Sequence, residues 1–264
     1  MNIIIFSKNR ACQLELLLRS IKWGFKEFDN NNFKILYKHT TEDFKKGYDK
    51  AMDMHSNDNI IWIEESSFKT DLLEMINKDE KNTVFLVDDN VFKEKFTIED
   101  EKFRYFNNHG DVLCLSLRLH PRLTYCYPAR ILQKPPVFTS NNTFLWKGQY
   151  GDYGYPMSLD GHIFRTKEII PLLIHLNYTN PNSLESALAS YPLFNPKMIC
   201  FDKSIIINNP VNKVQDWNNN IHGSISAEII NENFLLDQII DLDAFIEIEN
   251  ISCHQEIDIK FIEK

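Results

Sequence analysis

With 264 residues, the chain has room for one large domain or two small ones. Apolar residues at 43% and charged residues at 25% exclude a mainly disordered chain. Lys and Arg total 29 against 37 Asp and Glu, and the net charge of −8 argues against a general binder of nucleic acid or of anionic membranes.

Residues 2–6 form a β-branched run that closes on the polar Ser7-Lys8-Asn9-Arg10 and predicts a first strand. Leu14, Leu17, Leu18 and Ile21 then recur at helical spacing over residues 13–22. Strands are predicted at 33–37, 59–64 and 83–87, with helices between them at 42–54 and 68–77. Strand and helix therefore alternate three times before a strand that stops on Asp88-Asp89-Asn90. That alternation predicts an α/β fold with a parallel sheet covered by helices on both faces. Beyond it, residues 112–119 and 198–207 read as strands, with a possible short one at 163–164. Residues 168–176 and 183–190 read as helices, and helical spacing returns through Phe234, Leu235, Ile239 and Ile240. The segment from 121 to 155 is rich in Pro, Tyr, Phe and Trp without a period, which suits loops and short strands beside a sheet.

Five scattered cysteines, Cys12, Cys114, Cys126, Cys200 and Cys253, show neither a CxxC pair nor zinc-site spacing, and this suits a reduced compartment. The opening MNIIIFSKNR is apolar over too few residues for a signal peptide, and no run approaches the length of a membrane span. A cytoplasmic chain without a transmembrane segment is expected.

In open α/β sheets, ligands bind beyond the carboxyl ends of the strands. Asp88-Asp89-Asn90 stands at such an end. Adjacent carboxylates repel unless solvated or bridged by a cation, and hard Mg²⁺ or Mn²⁺ favours oxygen ligands. The same triplet also suits a solvated turn, since Asp and Asn favour turns and caps.

A first strand followed by Ser7-x-Asn9-Arg10, three strand–helix units and TVFLVDDN resembles the GT-A class of nucleotide-sugar glycosyltransferases. SLRLHPRLTYCY at 116–127 and YGYPMSLDGHIFR at 153–165 resemble a bacterial or viral glycosyltransferase-like family, and the likeness spans roughly residues 1–225. It implies a GT-A-like, Rossmann-like sheet, mostly parallel, with a smaller mixed sheet on the acceptor side. One domain over 1–264 is expected, with a nucleotide-binding half at 1–110 and an acceptor-binding half with a closing segment at 111–264. The implied activity is transfer of a sugar from a nucleoside-diphosphate donor, UDP-linked, to a glycan or other hydroxyl acceptor. It would be metal-assisted by Mn²⁺ or Mg²⁺ and inverting.

The resemblance also assigns roles. Ser7, Asn9 and Arg10 would meet the nucleotide, and Asp88 and Lys213 would join them; Lys69, which opens the helix after the third strand, would reach a phosphate or base unless it is simply an exposed helix lysine. Asp88, Asp89 and Asn90 would hold the metal, with His222 as a late ligand, although Asn in the family's usual third acidic place brings no charge. Asp160, beside Gly161, would accept hydrogen bonds from sugar hydroxyls, while Asp-Gly equally suits a hairpin turn. Glu185, at the start of a predicted helix, would be the base that takes the acceptor's proton, or an acid that complements the helix dipole. His162 reads as a packed histidine. A sugar nucleotidyltransferase would want a glycine-rich loop after the first strand, and FSKNRACQ has none. A non-catalytic nucleotide- or glycan-binding protein is the other alternative.

Overall fold

The computed structural model describes residues 1–212 and 223–264. In chain order the elements are β1 (Asn2–Lys8), α1 (Ala11–Gly24), β2 (Phe33–Lys38), α2 (Glu42–Met54), β3 (Ile60–Glu64), α3 (Phe68–Met75), β4 (Asn82–Val87) and β5 (Asn90–Phe92). There follow α4 (Glu101–Asn108), β6 (Val112–Ser116), β7 (Tyr125–Cys126), β8 (Ile131–Leu132), β9 (Thr143–Leu145), β10 (His162–Arg165) and α5 (Thr166–His175). The chain ends with α6 (Pro181–Ala189), β11 (Lys197–Cys200), β12 (Ile206–Asn208), α7 (Ala227–Leu235), β13 (Gln238–Ile240) and β14 (Phe261–Glu263).

Eight strands make the central sheet in the order β3-β2-β1-β4-β10-β6-β11-β9. β10 pairs antiparallel with β4 and β6, and β9 antiparallel with β11. The other six strands share one direction, so the fold class expected from the sequence is the one observed. β5–β12, β13–β14 and β7–β8 form three small antiparallel pairs beside it. From β1 the chain builds outward to β2 and β3, then returns to place β4 on the other side of β1. The order reverses between β1 and β4, which opens a crevice at their carboxyl ends.

Side chains on a strand alternate between faces, and both faces of this sheet are covered. Ile3, Ile5, Val84 and Leu86 pack on one side with Leu14, Leu17 and Tyr48 of α1 and α2. Ile4, Phe6 and Phe85 pack on the other with Phe68 and Leu72 of α3 and Ile169 and Leu173 of α5. This double covering is why β1 and β4 read as unbroken apolar runs.

Three expectations are corrected. Residues 198–207 are two strands in two sheets, because the polar Asp202-Lys203-Ser204 interrupts them and Ser204 Oγ donates to the carbonyl of Arg118 (2.6 Å). The helical spacing through Ile240 ends at Leu235: Asp237 turns left-handed (φ 64°), and Ile239 and Ile240 belong to β13. The strand expected over 112–119 stops at Ser116. Neither α4 nor β5 was anticipated. α4 shows only Phe103 and Phe106 as buried hydrophobic residues, and its start is fixed by Asp100 accepting from the Lys102 N–H.

Candidate active site

The loop after β1 is shaped by Asn9, which adopts a left-handed backbone (φ 57°) that Asn tolerates better than most residues. Its side chain accepts from the Thr40 N–H (2.9 Å) and donates to Thr40 Oγ1 (2.8 Å), pinning this loop to the one after β2. Ser7 Oγ lies 2.7 Å from the buried Tyr48 hydroxyl, which also accepts from the Arg10 N–H (3.3 Å). Ser7 and Asn9 thus hold the loop in shape, and Arg10 is delivered to the crevice.

Arg10 ties the two sides of the switch point together. Its guanidinium donates to Asp88 Oδ1 (3.0 Å) and Asp89 Oδ2 (3.3 Å), and its Nε donates to Asn212 Oδ1 (2.8 Å). Asp88 is buried, and its second oxygen accepts from the Lys8 N–H (3.0 Å). Asp89 is 17% exposed at its side chain and accepts from Asn208 Nδ2 (3.1 Å). Burial pushes the Asp89 carboxyl up to about 6, against the pull of Arg10 and with help from the charges of Asp88 and Asp160. Asn90 turns inward: it is fully buried, and its Oδ1 accepts from the Val87 N–H (3.0 Å).

On the acceptor-side segment, Gly161 places Asp160. Its φ is +70°, and a Cβ there would meet Ile206 Cδ1 at 2.1 Å, so a side chain is excluded twice over. Gly161 donates to the Phe85 carbonyl and accepts from the Leu117 N–H, and neither partner is its neighbour in sequence. Asp-Gly is therefore the entry to β10 rather than the tip of a hairpin. Asp160 Oδ2 lies 3.3 Å from Arg118 and 3.6 Å from His254 Nε2, and the Asn208 amide beside it also favours its charge. Burial opposes its charge, yet His254, Arg118 and Asn208 hold Asp160 below the usual carboxylate range. Glu185, in the first turns of α6, accepts from the Leu159 N–H (3.0 Å) and has the hydroxyls of Ser158 and Tyr155 beside it. Burial and the charge of Asp160 push Glu185 above the usual range. The helix start itself is capped by Asn180 and Ser183, so Glu185 is not needed as a cap.

Five of the expected residues therefore gather in one polar cluster: Arg10, Asp88, Asp89, Asp160 and its neighbour Glu185, with Asn208 between Asp89 and Asp160. Lys69 is placed elsewhere. It donates to the carbonyls of Ile174 (2.8 Å) and Leu176 (2.6 Å) at the end of α5 and lies over the Tyr178 ring. Lys213 and His222 lie outside the described residues. Arg118, His254, Asn208 and Tyr48 were not anticipated as site residues. Arg118 sits within the 116–127 motif, but His254 stands in the carboxyl-terminal segment with no motif around it. That segment reaches the site because residues 253 and 255 bond to the backbone of Asn208.

Asp88 and Asp89 supply hard carboxylate oxygens, and Asn208 Oδ1, on the amide that donates to Asp89, is buried without a hydrogen-bond partner. Among the described residues no set of three His, Cys, Asp or Glu side chains could hold a metal alone. A carboxylate pair without a full protein cage fits Mg²⁺ or Mn²⁺ when substrate phosphates and water complete the shell. Asn90 does not belong to that donor set, because its side chain is fully buried and folds back onto the Val87 N–H, away from the crevice.

No protein-family model matches the chain. In sequence it is similar to the bifunctional glycosyltransferase pgtA of Dictyostelium discoideum, at 27% identity over 187 residues. The sequence resemblance to glycosyltransferases holds. The match takes in 63% of this chain, which spans 24% of the length of that relative. Among solved structures the chain is similar to TarS 1–349 of S. aureus, with a TM-score of 0.47 and 15% identity over 78% of this chain and 60% of that one. It is also similar to the mannosyltransferase PcManGT from Pyrobaculum calidifontis in complex with GDP-Man and Mn²⁺. There the TM-score is 0.44, with 11% identity over 78% of this chain and 56% of that one. Among the described residues no helix is long and apolar enough to cross a membrane.

Proposed function

We propose that the chain is a glycosyltransferase that moves a sugar from a nucleoside-diphosphate donor, UDP-linked, to the hydroxyl of a glycan or other acceptor with inversion. One observation carries this reading. At the crevice between β1 and β4, Arg10 joins the loop after β1 to Asp88 and Asp89, and Asn208, which donates to Asp89, lies beside Asp160. This supports a reading in which a nucleotide side and an acceptor side meet at one switch point. The curated glycosyltransferase relative supports the same reading.

In this reading Arg10 and the loop it anchors receive the nucleotide. Asp88 and Asp89 would hold a divalent cation, which when bound supplies positive charge against the departing diphosphate. Asp160, kept anionic by Arg118 and His254, accepts hydrogen bonds from the acceptor and orients its hydroxyl. Glu185 has the higher proton affinity of the two and takes the hydroxyl proton as the oxygen attacks. One base on the acceptor side and a leaving group on the other is the arrangement a single displacement requires. The nucleotide-binding half is assigned to residues 1–110 and the acceptor-binding half to 111–264.

Saturation-transfer NMR with UDP- and GDP-sugars, with and without Mg²⁺, tests the reading. Mg²⁺-dependent contacts from the uridine and sugar protons of a UDP-sugar are expected. Metal-independent nucleotide binding with no donor turnover would favour a binding protein instead.

A further inference from the structure

Charge is spread unevenly along this acidic chain. No Asp or Glu stands between Asp111 and Asp152, a stretch that contains Arg118, Arg122, Arg130, Lys134 and Lys147. Three of those cations lie on one exposed ledge, made of the β7–β8 hairpin, residues 133–137 after it, and the turn at 147–150. Arg130, Lys134 and Lys147 are exposed there, and none of them is in an ion pair among the described residues. Beside them the fold leaves large apolar side chains in the open: Leu132 is 85% exposed, Val137 93% and Tyr150 82%.

The ledge is held in place. The buried Gln133 side chain donates to the Tyr125 carbonyl (3.0 Å) and to Asp152 Oδ2 (3.0 Å), and its Oε1 accepts from the Asp152 N–H (2.9 Å). A Cβ on Gly151 would meet that same Oε1 at 2.4 Å and Cys126 Cβ at 3.0 Å, so the turn ending at Tyr150 is seated against the hairpin. Asp152 in turn lies 3.8 Å from Arg118, which pairs with Asp160 (3.3 Å) on the acceptor side. Of the acids that reach the hairpin, Asp152 is buried on Gln133, and Glu256 accepts from the Tyr127 hydroxyl. The cations of the ledge therefore face outward.

Cations interleaved with exposed aliphatic tips fit a partner that is anionic at its surface and apolar beneath. An acidic protein would answer the cations alone. Leu132, Val137 and Tyr150 stand on separate turns, and a fluid acyl boundary receives such tips without shape complementarity. We propose that this ledge docks the protein on an anionic lipid bilayer, with Arg130, Lys134 and Lys147 at the headgroups and Leu132, Val137 and Tyr150 at the acyl boundary. With a net charge of −8, the rest of the chain is repelled by the same surface, so this one face is chosen and brings the acceptor side with it. The inference goes beyond the transfer reading and stands without it, because docking is read by binding alone.

Flotation of the full chain with vesicles of phosphatidylcholine, alone or with about 40% phosphatidylglycerol, in about 0.1 M salt is the test. The wild type should float with the anionic vesicles only and be released in about 1 M salt. Replacing the three cations together, Arg130→Gln, Lys134→Gln and Lys147→Gln, should weaken partition about 100-fold, roughly five-fold per cation. Leu132→Ser with Val137→Ser should weaken it about tenfold or more. Lys78→Gln with Lys167→Gln, both exposed elsewhere on the chain, should leave it unchanged. Circular dichroism checks that each protein is folded. A wild type that ignores anionic vesicles, or ledge variants that float as it does, would overturn the proposal. So would retention on immobilised polyglutamate through the same three cations without vesicle binding, since the ledge would then meet an acidic protein.

Discussion

His162 stands directly after Asp160 and Gly161, fully buried between β4 and β6, and its chemistry sets a measurable acid sensitivity. Its Nδ1 is 3.0 Å from the Pro156 carbonyl, which can only accept, so Nδ1 carries the proton. Nε2 is buried with no hydrogen-bond partner. A second proton would have to sit on Nε2, and burial together with the nearby charge of Arg118 lowers the imidazole to about 3. In the unfolded chain the ring titrates at about 6.5. The folded value is the depressed one, so the stability is fully present above about pH 6.5 and is lost as pH falls from there toward 3. At pH 5 the unfolded state gains roughly 2 kcal/mol from protonating this one ring, and the folded state gains almost nothing. His162→Asn preserves a side-chain N–H for the Pro156 carbonyl and cannot titrate. Urea unfolding of both proteins at pH 7 and pH 5 gives the comparison. The wild type should lose about 2 kcal/mol more than the variant over that interval, and contributions from His120 and the carboxylates cancel in the difference. Equal losses would refute the argument.

Glu185→Gln should lower kcat by about 10²–10⁴-fold with donor binding little changed, and Asp160→Asn should act mainly on the acceptor KM; steady-state kinetics with varied acceptor separates them. The reverse pattern moves the base to Asp160. Gly161→Ala places a Cβ on Ile206 at a left-handed backbone position and should destabilise the fold by about 2–4 kcal/mol in urea unfolding. Asn90→Ala leaves the Val87 N–H without its acceptor and should cost about 1–3 kcal/mol of stability while preserving Mn²⁺-dependent UDP affinity. A folded Asn90→Ala protein that no longer binds UDP would return Asn90 to the metal shell.

The first half of the fold could be read from the sequence because its strands are covered on both faces and its helices carry clear apolar stripes. β1, β4 and α1 each announce themselves in this way. The second half was harder, because β9, β10 and β11 are only three or four residues long and their partners are distant in sequence. Asp88, Asp89 and Asp160 could be anticipated, since they follow an apolar strand or precede a glycine. Arg118 and His254 could not. His254 reaches the site through a carboxyl-terminal segment that pairs with Asn208 across more than forty residues, which no local pattern records. Lys69 shows the converse: a lysine at a helix start looks available for phosphate, yet the end of α5 offers it two carbonyls at close range.

The central claim is that the carboxylates at the end of β4 serve sugar transfer. It is tested most directly by UDP release from a panel of UDP-sugars with Mn²⁺, comparing wild type with Asp89→Ala after circular dichroism has shown both to be folded. The account predicts turnover by the wild type on at least one donor and loss of about three orders of magnitude or more in the variant, the scale of several kcal/mol of leaving-group stabilisation. Turnover by a folded Asp89→Ala protein at the wild-type rate would contradict it.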